Sequence, residues 1–362
     1  MSFADNYYIC DNALIIKNFF NKDLYKINLL INENRFDTLI FSDIEKIINS
    51  IDEYFEILNS GTISYSKFNK HINGLPNSLK VIYFGNEFNQ LINNLPIHLE
   101  YLHLGHKFNH PLNNLPINLT SLYLGQNFNQ PIENLPIHLK NLFVNNYSHN
   151  KIIFPDSLQT LTICFCYNSV NNLPKSINKL NFLDYCFSSK INNNSSIKFN
   201  KNKYLPCKLP NKITDLTFNA NFDKNIDNLP TNLEYLKIGY LFKNNVDFLP
   251  TKLLSLIFCS NSKFNQLIDN LPKKLTYLEL GNSFNKPIDN LPLKLTYLIF
   301  SPGSKFVQSV DNLPNSIKQI IFGNIFNNSI ENLPNLITEL TLGKKFNKST
   351  NHLAETIIIT KK

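Results

Sequence analysis

The dipeptide Leu-Pro returns about every 20 residues along nearly the whole chain. It stands at Leu75, Leu95, Leu115, Leu135, Leu173, Leu209, Leu229, Leu249, Leu271, Leu291, Leu313 and Leu333, each followed by Pro. A fixed period of this length marks a solenoid, in which a repeat buries its apolar face only against its neighbours. The length of 362 residues would otherwise suggest two globular domains; a solenoid instead extends one core along one axis.

The most regular units run from Leu95 to Asn114 and from Leu115 to Asn134, with the template L-P-x-x-L-x-x-L-x-L-G-x-x-F-N-x-P-I-x-N. Within it, L-x-x-L-x-L reads as the strand of a leucine-rich repeat. Leu102 and Leu104 are two apart and share one face of a strand, so Tyr101 and His103 take the other. Leu99, Leu102 and Leu104 are expected to stack on their counterparts, with Phe108 filling the far side of the core. Burial of such side chains is worth roughly 1.5–3 kcal/mol each. Pro116 holds extended backbone where no ladder N–H is needed. A 20-residue coil leaves too few residues for a regular helix on its return side, so extended, polyproline-like or short 3₁₀ segments are expected there.

The position after the strand reads Gly85, Gly105, Gly125, Asn145, Cys164, Leu183, Asn219, Gly239, Cys259, Gly281, Ser301, Gly323 and Gly343. This pattern predicts a turn that needs positive φ or close backbone approach. Asn follows Phe at 69, 89, 109, 129, 265, 285, 327 and 347, and precedes Leu-Pro in most units. A side-chain amide carries both donor and acceptor, so stacked Asn residues are expected to form ladders along the turns.

Little in the sequence points to chemistry. There is no nucleophile elbow, phosphate loop or His-Glu-x-x-His, so no enzyme, cofactor or metal is expected. The Cys164–Cys166 pair and the cluster His98, His103, His106, His110 read as packing and turn positions. The net charge of +8 comes from Lys scattered among acidic residues, with Arg35 the one arginine. That argues against nucleic-acid recognition, where Arg is the usual bidentate reader; binding of an acidic polymer such as RNA stays as an alternative. The six cysteines show no disulfide-framework spacing, no secretory signal opens the chain, and no apolar run is long enough to span a membrane. A cytoplasmic monomer is the expectation.

The F-N-x-P-I-x-N-L-P phrasing, clearest at Phe128-Asn129-Gln130-Pro131-Ile132 and Phe284-Asn285-Lys286-Pro287-Ile288, resembles the FNIP repeat family across roughly residues 65–350. That family is similar to leucine-rich repeats and occurs mainly in amoeboid protists and the large DNA viruses that infect them. The resemblance implies a curved right-handed coil with a parallel β-sheet on its concave face, and a binding scaffold without chemistry. If the chain is viral, its site is the host cytoplasm.

The period fails in three places. Residues 1–60 precede it; Ser42 and Glu45 have capping-box spacing, and Ile44, Ile47, Ile48, Ile51, Tyr54 and Phe55 follow helical spacing. This segment is expected to be a helical cap, with a degenerate F-box-like module as the alternative, which would make the chain a ubiquitin-ligase adaptor. The solenoid then spans 61–350 with an irregular insertion at 184–208, and 351–362 form a last strand and basic tail.

Function is expected on the outward strand positions. One group, Tyr83, Tyr101, His103, Tyr123 and Phe143, lies near the start; a second, Tyr235, Tyr277, Tyr297, Ile299 and Ile321, lies nearer the end. Aromatic side chains dominate binding hot spots, so these ten residues are the candidate surface for a protein partner.

Overall fold

The computed structural model describes residues 6–22, 24–43, 66–144, 152–164, 173–183 and 209–361. The helix expected after Ser42, the insertion at 184–208 and the Cys166 side chain lie outside these residues. The chain divides into two compact units, Met1–Ile177 with Asp184–Cys207, and Asn178–Leu183 with Lys208–Lys362.

The first unit opens with a hairpin of β1 (Tyr7–Cys10) and β2 (Ala13–Ile16), closed through Asp11 in the left-handed region. Helix α1 (Tyr25–Asn34) follows, ending at Arg35 with φ 55°. Then come β3 (Thr38–Phe41), β4 (Val81–Tyr83), β5 (Tyr101–Leu104), β6 (Ser121–Leu124), β7 (Asn141–Val144) and β8 (Thr160–Cys164). From β2 to β8 each strand pairs in parallel with the next. The parallel array thus begins at Ala13, inside the segment expected to be a helical cap, whose described α-helix is Tyr25–Asn34.

The second unit holds β9 (Lys179–Leu183), β10 (Asp215–Thr217), β11 (Tyr235–Ile238), β12 (Ser255–Phe258), β13 (Tyr277–Leu280), β14 (Tyr297–Phe300), β15 (Gln319–Ile321), β16 (Glu339–Leu342) and β17 (Ile358–Lys361). All successive pairs are parallel. Both units are β-solenoids in which the sheet forms one wall.

One coil shows how the template works. Leu99 N–H donates to Pro96 O at 3.2 Å, so each Leu-Pro opens a tight turn that aims the strand. Glu100 and Tyr101 N–H both donate to Lys80 O of the preceding coil, at 2.8 and 3.0 Å. Leu99, Leu102, Leu104 and Phe108 are fully buried. A second turn closes when Phe108 N–H donates to Gly105 O. The return side is made of such turns, each closed by an i→i+3 bond, and of extended chain, as expected.

Phe rings form a column through each core. Phe68, Phe88, Phe108 and Phe128 stack at centroid spacings of 6.0–6.3 Å in the first unit. Phe222, Phe242, Phe264, Phe284, Phe306, Phe326 and Phe346 do so in the second, at 6.1–6.4 Å. Beside them runs the expected Asn ladder. Asn89, Asn109 and Asn129 N–H each donate to the Oδ1 of the Asn one coil earlier, at 2.8–3.0 Å. Asp223 serves in the same place for Lys243 N–H, at 3.0 Å. A second ladder runs before Leu-Pro, where Asn270, Asn290, Asn312 and Asn332 Nδ2 donate to Asp247, Asp269, Asp289 and Asp311. These bonds hold Asp311 below the ordinary carboxylate range, the Ser309 hydroxyl contributing most and Asn332 next.

The glycine column is explained by close approach and not by positive φ, which among the described glycines occurs at Gly74. A Cβ on Gly105 would lie 2.1 Å from Gly85 O, far inside contact distance. Cys259 and Ser301 escape this because their N–H groups donate to Ile238 O and Leu280 O, continuing the ladder one residue further. The coils that hold them are longer, and a buried serine then takes over: Ser262 and Ser304 hydroxyls accept Phe264 and Phe306 N–H at 3.2 Å. Ser66 does the same for Phe68 at 3.4 Å.

Candidate interaction surface

The outward strand residues fall in the two columns expected. In the first unit Val81, Tyr101, Ser121, Asn141 and Thr160 stand opposite one another, as do Tyr83, His103, Tyr123, Phe143 and Thr162. The second of these columns is a stack of rings. Tyr83 and His103 lie 3.8 Å apart at 11°, His103 and Tyr123 5.9 Å, and Tyr123 and Phe143 5.7 Å at 17°. Tyr101 tilts onto Tyr123 from the neighbouring column at 5.2 Å. A ring stacked on both sides has its faces covered and presents its edge to solvent.

The stack sets the chemistry of its members. The His103 ring nitrogen Nδ1 lies 3.3 Å from Phe84 O, the geometry of a neutral imidazole donating to a carbonyl. Burial between the rings pushes His103 down to about 3, so the ring is uncharged at neutral pH. Burial likewise raises the hydroxyls of Tyr101, with a smaller push from Tyr123, and of Tyr123 itself. Tyr83 faces outward in register yet is 4% exposed, and its ring backs that of His103. Beside this face the structure reveals a row that the strand pattern did not disclose. Ile97, Ile117 and Ile137, each following Pro in the turn before a strand, are about 60% exposed.

In the second unit one column reads Lys179, Asp215, Tyr235, Ser255, Tyr277, Tyr297, Gln319 and Glu339, and the other Asn181, Thr217, Lys237, Ile257, Glu279, Ile299, Ile321 and Thr341. Tyr277 and Tyr297 are in tilted contact at 6.0 Å, and Tyr297 is 41% exposed. Ile299 and Ile321 are register neighbours, half-buried. Tyr235 is set apart from this group by Ser255. The Tyr277 hydroxyl donates to Glu279 Oε2 at 3.4 Å. Burial raises the hydroxyls of Tyr235 and Tyr277, and the charge of Glu279 adds to both. No group of three or more His, Cys, Asp or Glu is arranged for a metal ion among the described residues, and no described helix is long and apolar enough to cross a membrane.

The FNIP Repeat model matches five stretches, 68–107, 108–147, 199–241, 264–302 and 308–345, which together exceed half of the chain. The chain belongs to the FNIP repeat family. Among solved structures, this FNIP chain is similar to CroV588, described as a novel circular LRR protein, at TM-score 0.72 and 32% identity over 98% of this chain and 54% of that one. The FNIP chain thus spans about half the length of that relative. A leucine-rich repeat protein from Bacteroides ovatus ATCC 8483 aligns at 14% identity and TM-score 0.25, over 79% of this chain and 78% of that one. No curated protein sequence matches the chain.

Proposed function

We propose that this FNIP-repeat chain is a non-catalytic scaffold that binds a protein partner on the outward face of its sheet. One observation carries the reading: the rings at His103, Tyr123 and Phe143 form an ordered stack whose edges face solvent. Rigid aromatic side chains that are already ordered lose little freedom on binding, which favours them as anchors for a protein surface. The same geometry weakens the nucleic-acid alternative, because base stacking on aromatic platforms needs free ring faces. In the first unit the faces of His103 and Tyr123 are occupied by neighbouring rings.

The adaptor alternative would require an F-box-like module before the repeats. The described part of that segment is instead a hairpin, one helix and β3, with β2 and β3 in the sheet. The test is capture of partners from the native cell with wild-type protein and with Tyr101→Ser, His103→Ser and Tyr123→Ser combined. Loss of a captured protein, with far-UV circular dichroism unchanged, is the expected result. Unchanged capture by a folded variant refutes this face as the site, and recovery of a ligase subunit as the main partner would favour the adaptor reading.

A further inference from the structure

The second unit contains a gap in its ring column. Ser255 on β12 separates Tyr235 on β11 from Tyr277 on β13 in exact sheet register. Two strand steps of ~4.8 Å place the tyrosine Cα atoms roughly 10 Å apart. Tyr277 meets Tyr297 on its other side, and no ring contact joins it to Tyr235 among the described residues. The serine is too small to fill the interval, which leaves room for a planar group beside either ring. Ile257 lies beside it in the second column, and Glu279 forms the wall, joined to the Tyr277 hydroxyl.

Two carboxylates flank the notch. Glu279 acts on the hydroxyls of both tyrosines, and Asp215 stands opposite Tyr235 on β10. The ion pairs Lys80–Glu100 and Lys107–Glu87 lie elsewhere. Lys237, exposed on β11, is separated from Glu279 by Ile257 and makes no ion pair with it. Tyrosine rings with a carboxylate beside them suit a flat cation. Guanidinium is planar, stacks on aromatic faces and donates in a fork to carboxylate, whereas ammonium is a compact point charge.

We propose that the Tyr235–Ser255–Tyr277 notch, with Glu279 at its wall, receives an arginine side chain of the partner protein. This rests on the reading that the partner binds the outward sheet face, and it names the chemistry of one contact. The test uses the full chain with 13C-labelled tyrosine rings and three probes: Ac-Gly-Arg-Gly-NH2 and its lysine and citrulline counterparts. The Tyr235 and Tyr277 resonances are assigned from Tyr→Phe variants.

The arginine peptide is expected to shift both resonances in the millimolar range, the lysine peptide several-fold more weakly, and the citrulline peptide not at all. Glu279→Gln should weaken arginine binding about fivefold, the loss of one charge-assisted contact. Ser255→Phe should abolish it by filling the notch, and Ser255→Ala should keep it, which guards against a merely misfolded variant. Equal binding of arginine and citrulline, retained binding in a folded Ser255→Phe variant, or no shift up to roughly 50 mM peptide overturns the proposal. Because the probe is not the native partner, such a failure leaves the scaffold reading to its own test at Tyr101, His103 and Tyr123.

Discussion

Asp43→Asn should make the protein more stable at neutral pH and leave it nearly unchanged in acid. Asp43 is buried just after β3, and its Oδ1 accepts Ser66 N–H at 2.6 Å and Asn86 N–H at 3.1 Å. Burial pushes its carboxyl up to about 7, the two backbone donors pull the other way, and Glu87 adds a further push upward. Burial wins, so between about pH 4 and pH 7 the folded chain holds a proton that the unfolded chain has released. The sign follows: stability is fully present below the unfolded value of 3.8 and falls as pH rises through the folded value of about 7. Some three pH units at about 1.4 kcal/mol each set an upper figure of roughly 4 kcal/mol lost at pH 8.

Asparagine keeps the accepting oxygen and removes the charge. The next coil already uses this solution, since Asn86 Oδ1 accepts His106 N–H at 3.3 Å. The assay is urea denaturation of both proteins from pH 3.5 to pH 8, taking the difference at each pH. Subtraction removes the contribution of His103, whose lowered value makes stability rise with pH up to the unfolded value of 6.5. Repeat arrays can unfold in segments, so exchange protection of the Ser66 and Asn86 amides serves as the local readout. A difference that does not vary with pH, or a variant weaker than wild type at pH 8, would show that the backbone donors outweigh burial and refute the reasoning.

Other substitutions test the coil contacts. Gly105→Ala should destabilise by about 1–3 kcal/mol or more through overpacking against Gly85 O, and thermal denaturation should rank it above Ser301→Ala. That serine loses only a hydroxyl bond to Leu280 O, worth about 1 kcal/mol. Asn109→Ala should cost about 1–2 kcal/mol in urea, because the N–H of Asn129 and the amide of Gln130 lose their acceptor. Asn109→Asp should be tolerated, as Asp223 is in the same place. Phe108→Ala should cost about 3–5 kcal/mol by the same assay, since it opens a void between Phe88 and Phe128.

Strand register was legible because the period is nearly constant: once Leu102 and Leu104 point inward, Tyr101 and His103 must point outward, and each coil repeats the assignment. The Asn ladders were legible for the same reason. What the period could not show lies where a coil departs from it. The array starts at β2 although no Leu-Pro marks it, because α1 replaces the Leu-Pro return. The remaining clue is Phe20-Asn21, where Phe20 stacks 6.2 Å from Phe68 and Asn21 Oδ1 accepts Asn69 N–H at 3.0 Å. The triplet Ser-Lys-Phe at 66, 262 and 304 marks coils whose buried serine accepts the Phe N–H, but that role depends on where the adjacent coil runs. The burial of Tyr83 is likewise a property of its surroundings and not of its column.

The two halves of the candidate surface differ in what their rings leave free. From Tyr83 to Phe143 four consecutive coils carry a ring in one column, so each inner ring covers the faces of its neighbours and the surface that remains is a row of edges. Such a surface discriminates by shape and by hydroxyl groups, and it has no slot for a flat cation. In the second unit the alternation Tyr235, Ser255, Tyr277 breaks the column, placing a small residue between two tyrosines with the Glu279 carboxylate at the Tyr277 hydroxyl. In the proposed arginine contact the deciding residue is the small one. Ser255 contributes almost no contact area itself, yet replacing it with an aromatic residue would turn the second surface into the first. Capture that tolerates Ser255→Ala and fails with Ser255→Phe would show that the partner reads the gap itself.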